Sequence, residues 1–309
     1  MNKTDLVYIL GSGSQWNNNE LRLSLRSVHQ NLKGVGRIFV VGEDPGFLSP
    51  KVTRIYHPDE IGPHNADGNM ALKILRACRE KSLSDNFLFM NDDFIINKPV
   101  VAANIPWMHK GDMKDRPPGF WVTQPYRFRL RRTFDTLAMR GLPTMQYDYH
   151  APMLMNKHKF PEVMQQYDFH SDVGLTFRSL YGNTLGLPAD NIAGRKVTIY
   201  KHYTLAQITE RVKDAMFIGY NDLGLNSAFK FYLFSRFNEK SPFEATPVSG
   251  DKAEAVARWV ASGHDYAIGV KVFEEFYQKR NVSRIFSKYR SDVLDAKLKF
   301  KLNRYICEL

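Results

Sequence analysis

Residues 87–96 read FLFMNDDFII. Phe87, Leu88, Phe89 and Met90 have the character of a buried strand, and Phe94, Ile95 and Ile96 resume it. Between them stand Asn91, Asp92 and Asp93, an amide and two carboxylates where burial penalises unpaired charge. A strand that ends in adjacent carboxylates presents hard oxygen ligands on a rigid element. A divalent cation, Mg²⁺ or Mn²⁺, can then bridge them to a diphosphate. The competing reading is a strand-end turn in which the Asp side chains cap backbone N–H groups.

The elements that must position this pair alternate in an α/β manner. DLVYIL (5–10) reads as a strand ending in the Gly/Ser loop GSGSQWNNN, and 20–32 has helical spacing with Leu21, Leu25 and Val28 on one face. RIFVVG (37–42) and VTRIYH (52–57) are further strands, 70–80 is a basic amphipathic helix, and 86–96 is the next strand. The order implies a mostly parallel sheet flanked by helices, with ligands at the carboxyl ends of the strands. From 251 onward the chain reads as helical. Between Lys271 and Arg304 it carries ten basic and four acidic residues, a net charge of +6. We therefore expect a domain over 1–250 and a basic helical C-terminal subdomain over 251–309.

The whole chain of 309 residues is 43% apolar and 24% charged, ordinary for a globular protein. Its two cysteines, Cys78 and Cys307, have no metal-ligand spacing, which argues against a disulfide framework or a zinc site and for a reduced, cytoplasmic setting. The apolar run after MNKTD is too short for a signal peptide, and no stretch approaches the about 18–20 apolar residues of a transmembrane segment. The net charge of +11 favours a polyanionic partner: nucleic acid, an acidic polysaccharide or an anionic membrane surface.

Beyond single motifs, the sequence resembles the Stealth family of sugar-phosphate transferases, which includes bacterial capsule polymerases and the lysosomal-enzyme GlcNAc-1-phosphotransferase. The resemblance is carried by DLVYILGSGS, by ELRLSLRSVHQNLKGVGRIFVVGEDPGFLSPKVTRIYHPDEI and the NDD strand after it. It continues through YDYHAPMLMNKHKFPEVMQQY with FRSLYGN and KHYTLAQ, and through MFIGYNDLGLNSAFKFYLFSRFNEKSPFE, in family order over about residues 5–245. It implies a GT-A-like core, a nucleotide-sugar donor such as a UDP-sugar, and Mg²⁺ or Mn²⁺ held by Asp92 and Asp93. Asn91 would join the pair at the diphosphate. Arg22 and Arg26 would lie near the nucleotide or support the loop, His150 and Arg178 would lie around the sugar-phosphate, and His202 with Asn221 and Asp222 would complete the pocket. Arg178 suits bidentate contact with a phosphate, and His150 suits a general base.

One departure stands out. Family members carry an Asn or Asp, then Gly-Ser, then Asp after the first strand, whereas this chain reads Ser12, Gly13, Ser14, Gln15. Backbone N–H groups of that loop still suit a nucleotide, but the missing acids leave glycosyl transfer open beside sugar-phosphate transfer.

For the acceptor, RFRLRR (127–132) read as an extended strand places Arg127, Arg129 and Arg131 on one side, a row of guanidiniums suited to a phosphate backbone. The expected function is thus a metal-assisted, nucleotide-sugar-dependent glycosyltransferase acting on a polyanion, hydroxymethylated DNA first. The alternatives are a sugar-1-phosphate transferase building capsular or cell-wall polysaccharide, and a non-catalytic nucleic-acid-binding protein on the same scaffold.

Overall fold

Strands buried on both faces read as continuous apolar runs, and β1 (Thr4–Leu10) is buried at every residue. A computed structural model describes residues 3–122, 125–246 and 249–261. After β1 the chain forms α1 (Asn19–Asn31), β2 (Leu32–Lys33), β3 (Val35–Gly42), β4 (Val52–Tyr56), α2 (Ala66–Cys78), β5 (Asn86–Asn91), β6 (Ile95–Ile96), β7 (Val100–Val101) and β8 (Met108–His109). It continues through α3 (Pro125–Met139), β9 (Met153–Asn156), α4 (Lys159–Met164), α5 (Phe177–Thr184), β10 (Asp190–Asn191), β11 (Lys196–Ile199), α6 (Leu205–Val212), β12 (Phe217–Tyr220), α7 (Ser227–Arg236) and α8 (Lys252–Ala261).

The central sheet has the order β4-β3-β1-β5-β9. β3, β1, β5 and β4 run parallel, and β9 closes the edge antiparallel to β5. This is the mostly parallel sheet flanked by helices that the sequence leads one to expect. From β1 the chain steps outward to β3 and β4, then returns to the other side of β1 for β5. The carboxyl ends of β1 and β5 therefore flank a topological switch point, the place where such sheets open a crevice for ligands.

The strand expected to run through Ile96 is in fact two. β5 ends at Asn91, Asp92 and Asp93 turn the chain, and Ile95–Ile96 start β6 in a second sheet of order β11-β12-β6. Helix α1 holds that turn. Its Ser24 hydroxyl donates to the Phe94 carbonyl at 2.5 Å, its Ser27 hydroxyl accepts from Ile96 N at 3.0 Å, and its Asn31 amide donates to the Ile96 carbonyl at 2.7 Å. These three side chains recur at helical spacing, so one face of α1 meets the backbone demand of a strand leaving its sheet.

Helix α2 starts before Met70 because the buried Asn65 caps it, accepting from Gly68 N at 2.8 Å. The extended reading of RFRLRR is overturned. Pro125 takes the first turn of α3, where its missing N–H costs nothing, and the arginines follow on a helix. Arg127, Arg129 and Arg131 consequently do not form a row. Arg129 turns inward to Asp67 at 2.9 Å, Arg127 lies over the Phe120 ring, and Arg131 pairs with Asp135 one turn on.

Helix α8 packs against α7, and its Ala253 and Ala257 belong to the same apolar cluster as Trp16, Leu23, Ile218 and Phe234. The basic stretch from Lys271 to Arg304 lies outside the described residues. Among the described residues no helix is long and apolar enough to cross a membrane.

Candidate functional site

Three strand ends converge on one cleft. The loop after β1 contributes Gly11, Gly13 and Ser14, the end of β5 contributes Asn91, Asp92 and Asp93, and the end of β12 contributes Tyr220, Asn221 and Asp222. Glu20 from α1 and Asn69, Met70 and Lys73 from α2 complete a cavity of about 320 Å³. The loop is built locally. The Ser14 hydroxyl accepts from Asn18 N at 2.8 Å and from Trp16 N at 3.2 Å, while Asn17 and Asn18 take left-handed backbone that asparagine tolerates. The same hydroxyl donates to Glu20 Oε2 at 2.9 Å.

The charge in this cleft is dense. Burial, the neighbouring Asp93 and the facing Glu20 push the Asp92 carboxyl up to about 8. Glu20 is raised too, mainly by burial, with its own backbone hydrogen bond and the Ser14 hydroxyl pulling the other way. Asp93 Oδ1 is buried with no hydrogen-bond partner. Opposite them Lys73, almost wholly buried, donates to the Leu10 carbonyl at 3.0 Å and pairs with Asp59 at 2.5 Å. Crowded carboxylates, two of them raised, beside an unpartnered carboxylate oxygen fit a divalent cation. The donor set of Asp92 and Asp93 suits Mg²⁺ or Mn²⁺. Among the described residues no three acidic, His or Cys side chains form a ready-made cage, and Mg²⁺ ordinarily takes one or two carboxylates and completes its shell with water and substrate phosphate.

Behind Asp93 stands a second group of charges. His150, in left-handed backbone (φ 43°), places Nδ1 3.9 Å from Asp93 Oδ2. Arg178 of α5, buried, donates from Nη2 to Asn91 Oδ1 at 3.2 Å, and its guanidinium carbon lies 4.9 Å from the Phe89 ring centre and 5.1 Å from that of Phe177. Lys196 opens β11 and lies across Gly219 of β12. Burial and the nearby Lys110 push its ammonium down to about 7. Lys110 is lowered likewise by burial, with Asp148 opposing.

The structure thus gathers Gly13, Ser14, Asn91, Asp92, Asp93, Asn221 and Asp222 into one cleft, with His150 and Arg178 beside it. It does not bring in the others. Ser12 and His202 are exposed and absent from the cleft lining. Arg22 and Arg26 do not line the cleft. Both are buried against Glu244, with Arg22 Nη1 at 2.5 Å and Arg26 Nε at 3.0 Å, and Arg26 Nη2 lies 3.0 Å from Glu254. They are spoken for because an α1 arginine on the face away from the cleft finds two buried glutamates there.

The sequence reading missed Glu20, Lys73, Lys110 and Lys196. Glu20 places a carboxylate from the helix beside the Ser12–Gln15 loop. Its place two residues before Arg22 in a first helical turn is a weak signal for this. Nothing in the local sequence marks the three lysines, because distant elements bring them in.

No protein-family model matches the chain, and neither does any curated protein, so the chain is not assigned to the family its sequence resembles. Among solved structures, the apo form of mouse xyloside xylosyltransferase 1 is similar over 72% of this chain and 98% of that one, at 10% identity and a TM-score of 0.37. That likeness is too distant to bear on activity, and the fold described above stands on its own strand order.

Proposed function

We propose that this chain is a nucleotide-sugar-dependent glycosyltransferase whose cleft takes a nucleoside diphosphate-sugar together with a divalent cation. One observation supports this most: two adjacent carboxylates at the carboxyl end of β5, at the switch point of a parallel sheet, with Asp93 Oδ1 buried and unpartnered. Asp92 and Asp93 would hold Mg²⁺ or Mn²⁺, which supplies charge neutralisation to a departing diphosphate. The protein's own groups have separate tasks. The Gly11–Ser14 loop offers backbone to the nucleotide side, Lys73 offers a cation to phosphate oxygens, and Asn91 holds Arg178 against the aromatic wall. His150, restrained by its backbone and facing Asp93, is positioned to take a proton from an acceptor hydroxyl.

The net charge of +11 favours a polyanionic acceptor, and hydroxymethylated DNA is the first to test, with capsular or cell-wall polysaccharide as the second. The arginines of α3 no longer contribute to that argument. Glu20 restores a carboxylate beside the first loop, so sugar-1-phosphate transfer remains a product to look for.

Calorimetric titration with a panel of UDP-sugars, with and without Mn²⁺, tests the donor site. We expect metal-dependent binding that Asp93→Ala weakens by at least about a hundredfold, the ~2.7 kcal/mol cost of losing one charged ligand. Absence of metal-dependent binding, or indifference to Asp93→Ala, would sink the reading. Mass spectrometry of the acceptors then separates a hexose or pentose gain from a gain that also carries phosphate.

A further inference from the structure

The cations behind Asp93 outnumber the acids that face them. Lys110, Lys196, Arg178 and Arg116 meet Asp93 and Asp148, while the neighbouring Asp67 is taken by Arg129 at 2.9 Å. Arg116 is committed, donating from Nη2 to the Lys110 carbonyl and to Gln146 Oε1, both at 2.7 Å. Asp148 is partly committed, accepting from the Ser179 hydroxyl at 2.5 Å, with its other oxygen buried and unpartnered. Among the described residues neither Lys110 nor Lys196 has an acidic oxygen within 4.0 Å, and Arg178 Nε is buried without a hydrogen bond. Arg178 is buried and the two lysines partly so, and cations in such a setting with no directly paired carboxylate are costly unless a ligand supplies one.

The geometry has been cleared for one of them. A Cβ on Gly219 would come 2.8 Å from Lys196 Cε, 3.0 Å from its Nζ and 3.5 Å from the His150 carbonyl. Glycine at this position lets the lysine cross β12 and bring its ammonium towards His150. None of Lys110, Arg178 and Lys196 lines the cleft between Gly13 and Lys73. Lys196 lies near Asp93 and Arg178 bonds Asn91, so these cations adjoin the end of β5.

We propose that Lys110, Arg178 and Lys196 form a second, anion-binding recess that takes a carboxylate or phosphate substituent on the sugar unit. The assignment of that substituent to a sugar rests on the nucleotide-sugar reading of the adjoining cleft. The chemistry is charge-assisted hydrogen bonding: one guanidinium edge held by the Phe89 and Phe177 rings, and two ammoniums that an anion would re-solvate. A neutral hexose offers these groups hydroxyl acceptors but no counter-charge, so the recess favours acidic or phosphorylated sugars.

The test uses the full chain with Mn²⁺. UDP alone reports on the nucleotide site. UDP-glucose against UDP-glucuronate reports on a carboxylate, and glucose against glucose 6-phosphate, added to UDP-loaded protein, reports on a phosphate. We expect at least one anionic member to bind about tenfold or more tightly than its neutral counterpart. Lys196→Met and Lys110→Met should each remove most of that preference and leave UDP affinity unchanged. Gly219→Ala keeps every charge but displaces the lysine end, and should reduce the preference as well. Equal binding of neutral and anionic sugars overturns the recess, as does a loss of UDP affinity in the lysine variants as large as the loss for anionic sugars. If UDP does not bind but anionic sugars do, in a Lys196-dependent way, the nucleotide reading falls and the recess stands.

Discussion

Helix α1 carries two groups of charge within two turns, and their fates are opposite. Arg22 and Arg26 face Glu244, Glu254 and backbone carbonyls, including those of Thr246 and Phe237. Glu244 in turn accepts from Ser241 N and the Ser241 hydroxyl. Glu20, at the start of the same helix, meets Asp92 and Asp93 across a cleft, eased by a backbone hydrogen bond, the Ser14 hydroxyl and the more distant Lys230. The first group is closed, and its charges pin α1 to the segment that precedes α8. The second is open, and its carboxylates repel one another. Buried charge paired directly with opposite charge is architecture; carboxylates crowded together beside a cleft await a cation.

Removing one member of the closed group should have the largest effect. Glu244→Ala strands two guanidiniums and is expected to destabilise the protein by about 3–5 kcal/mol in a denaturant titration. A loss under about 1 kcal/mol would mean that the network is not the closed one described. On the open side the expectation reverses: Glu20→Gln should leave stability unchanged or slightly raised, while metal-dependent donor binding falls roughly tenfold, about 1.4 kcal/mol. Calorimetry and thermal unfolding of the same preparation separate the two.

The pH dependence sharpens the contrast. Asp92 in the folded protein holds its proton up to about 8, against an ordinary value of 3.8. A raised acid favours the folded state at low pH and loses that advantage as pH rises from the ordinary value through about 8. Asp92→Asn should therefore raise the metal-free melting temperature at pH 9 by a few degrees, on the order of 2–4 °C per kcal/mol, and change it little at pH 4. In the unsubstituted protein Mn²⁺ binding should strengthen with pH up to about 8 and release a proton, visible as a buffer-dependent binding enthalpy. The smallest effect belongs to the surface of α3. Arg131 and Asp135 are both about half exposed, so Arg131→Ala should cost under about 0.5 kcal/mol. If that substitution also cut DNA affinity more than about tenfold, a contact role for α3 would return.

Much of this was legible in the chain itself. The all-buried β1, the apolar flanks of the NDD turn and the alternation of strand and helix determined a mostly parallel sheet, because period and composition report burial directly. The adjacency of Asp92 and Asp93 at a strand end was likewise local. What the sequence could not decide was partnership. Arg22 and Arg129 read as candidates for phosphate, yet each found a carboxylate more than sixty residues away. RFRLRR read as an extended strand, whereas Pro125 opens a helix there and Leu130 and Leu137 bury one of its faces. Lys73, Lys110 and Lys196 carry no local signature, and only the fold brings them near the acids of the site, Lys196 by reaching from β11 over Gly219. Local pattern specifies where charge is placed along an element. Whether that charge is answered depends on residues that only the folded chain brings within a few ångströms, since ion pairing and desolvation act through space and not along the sequence.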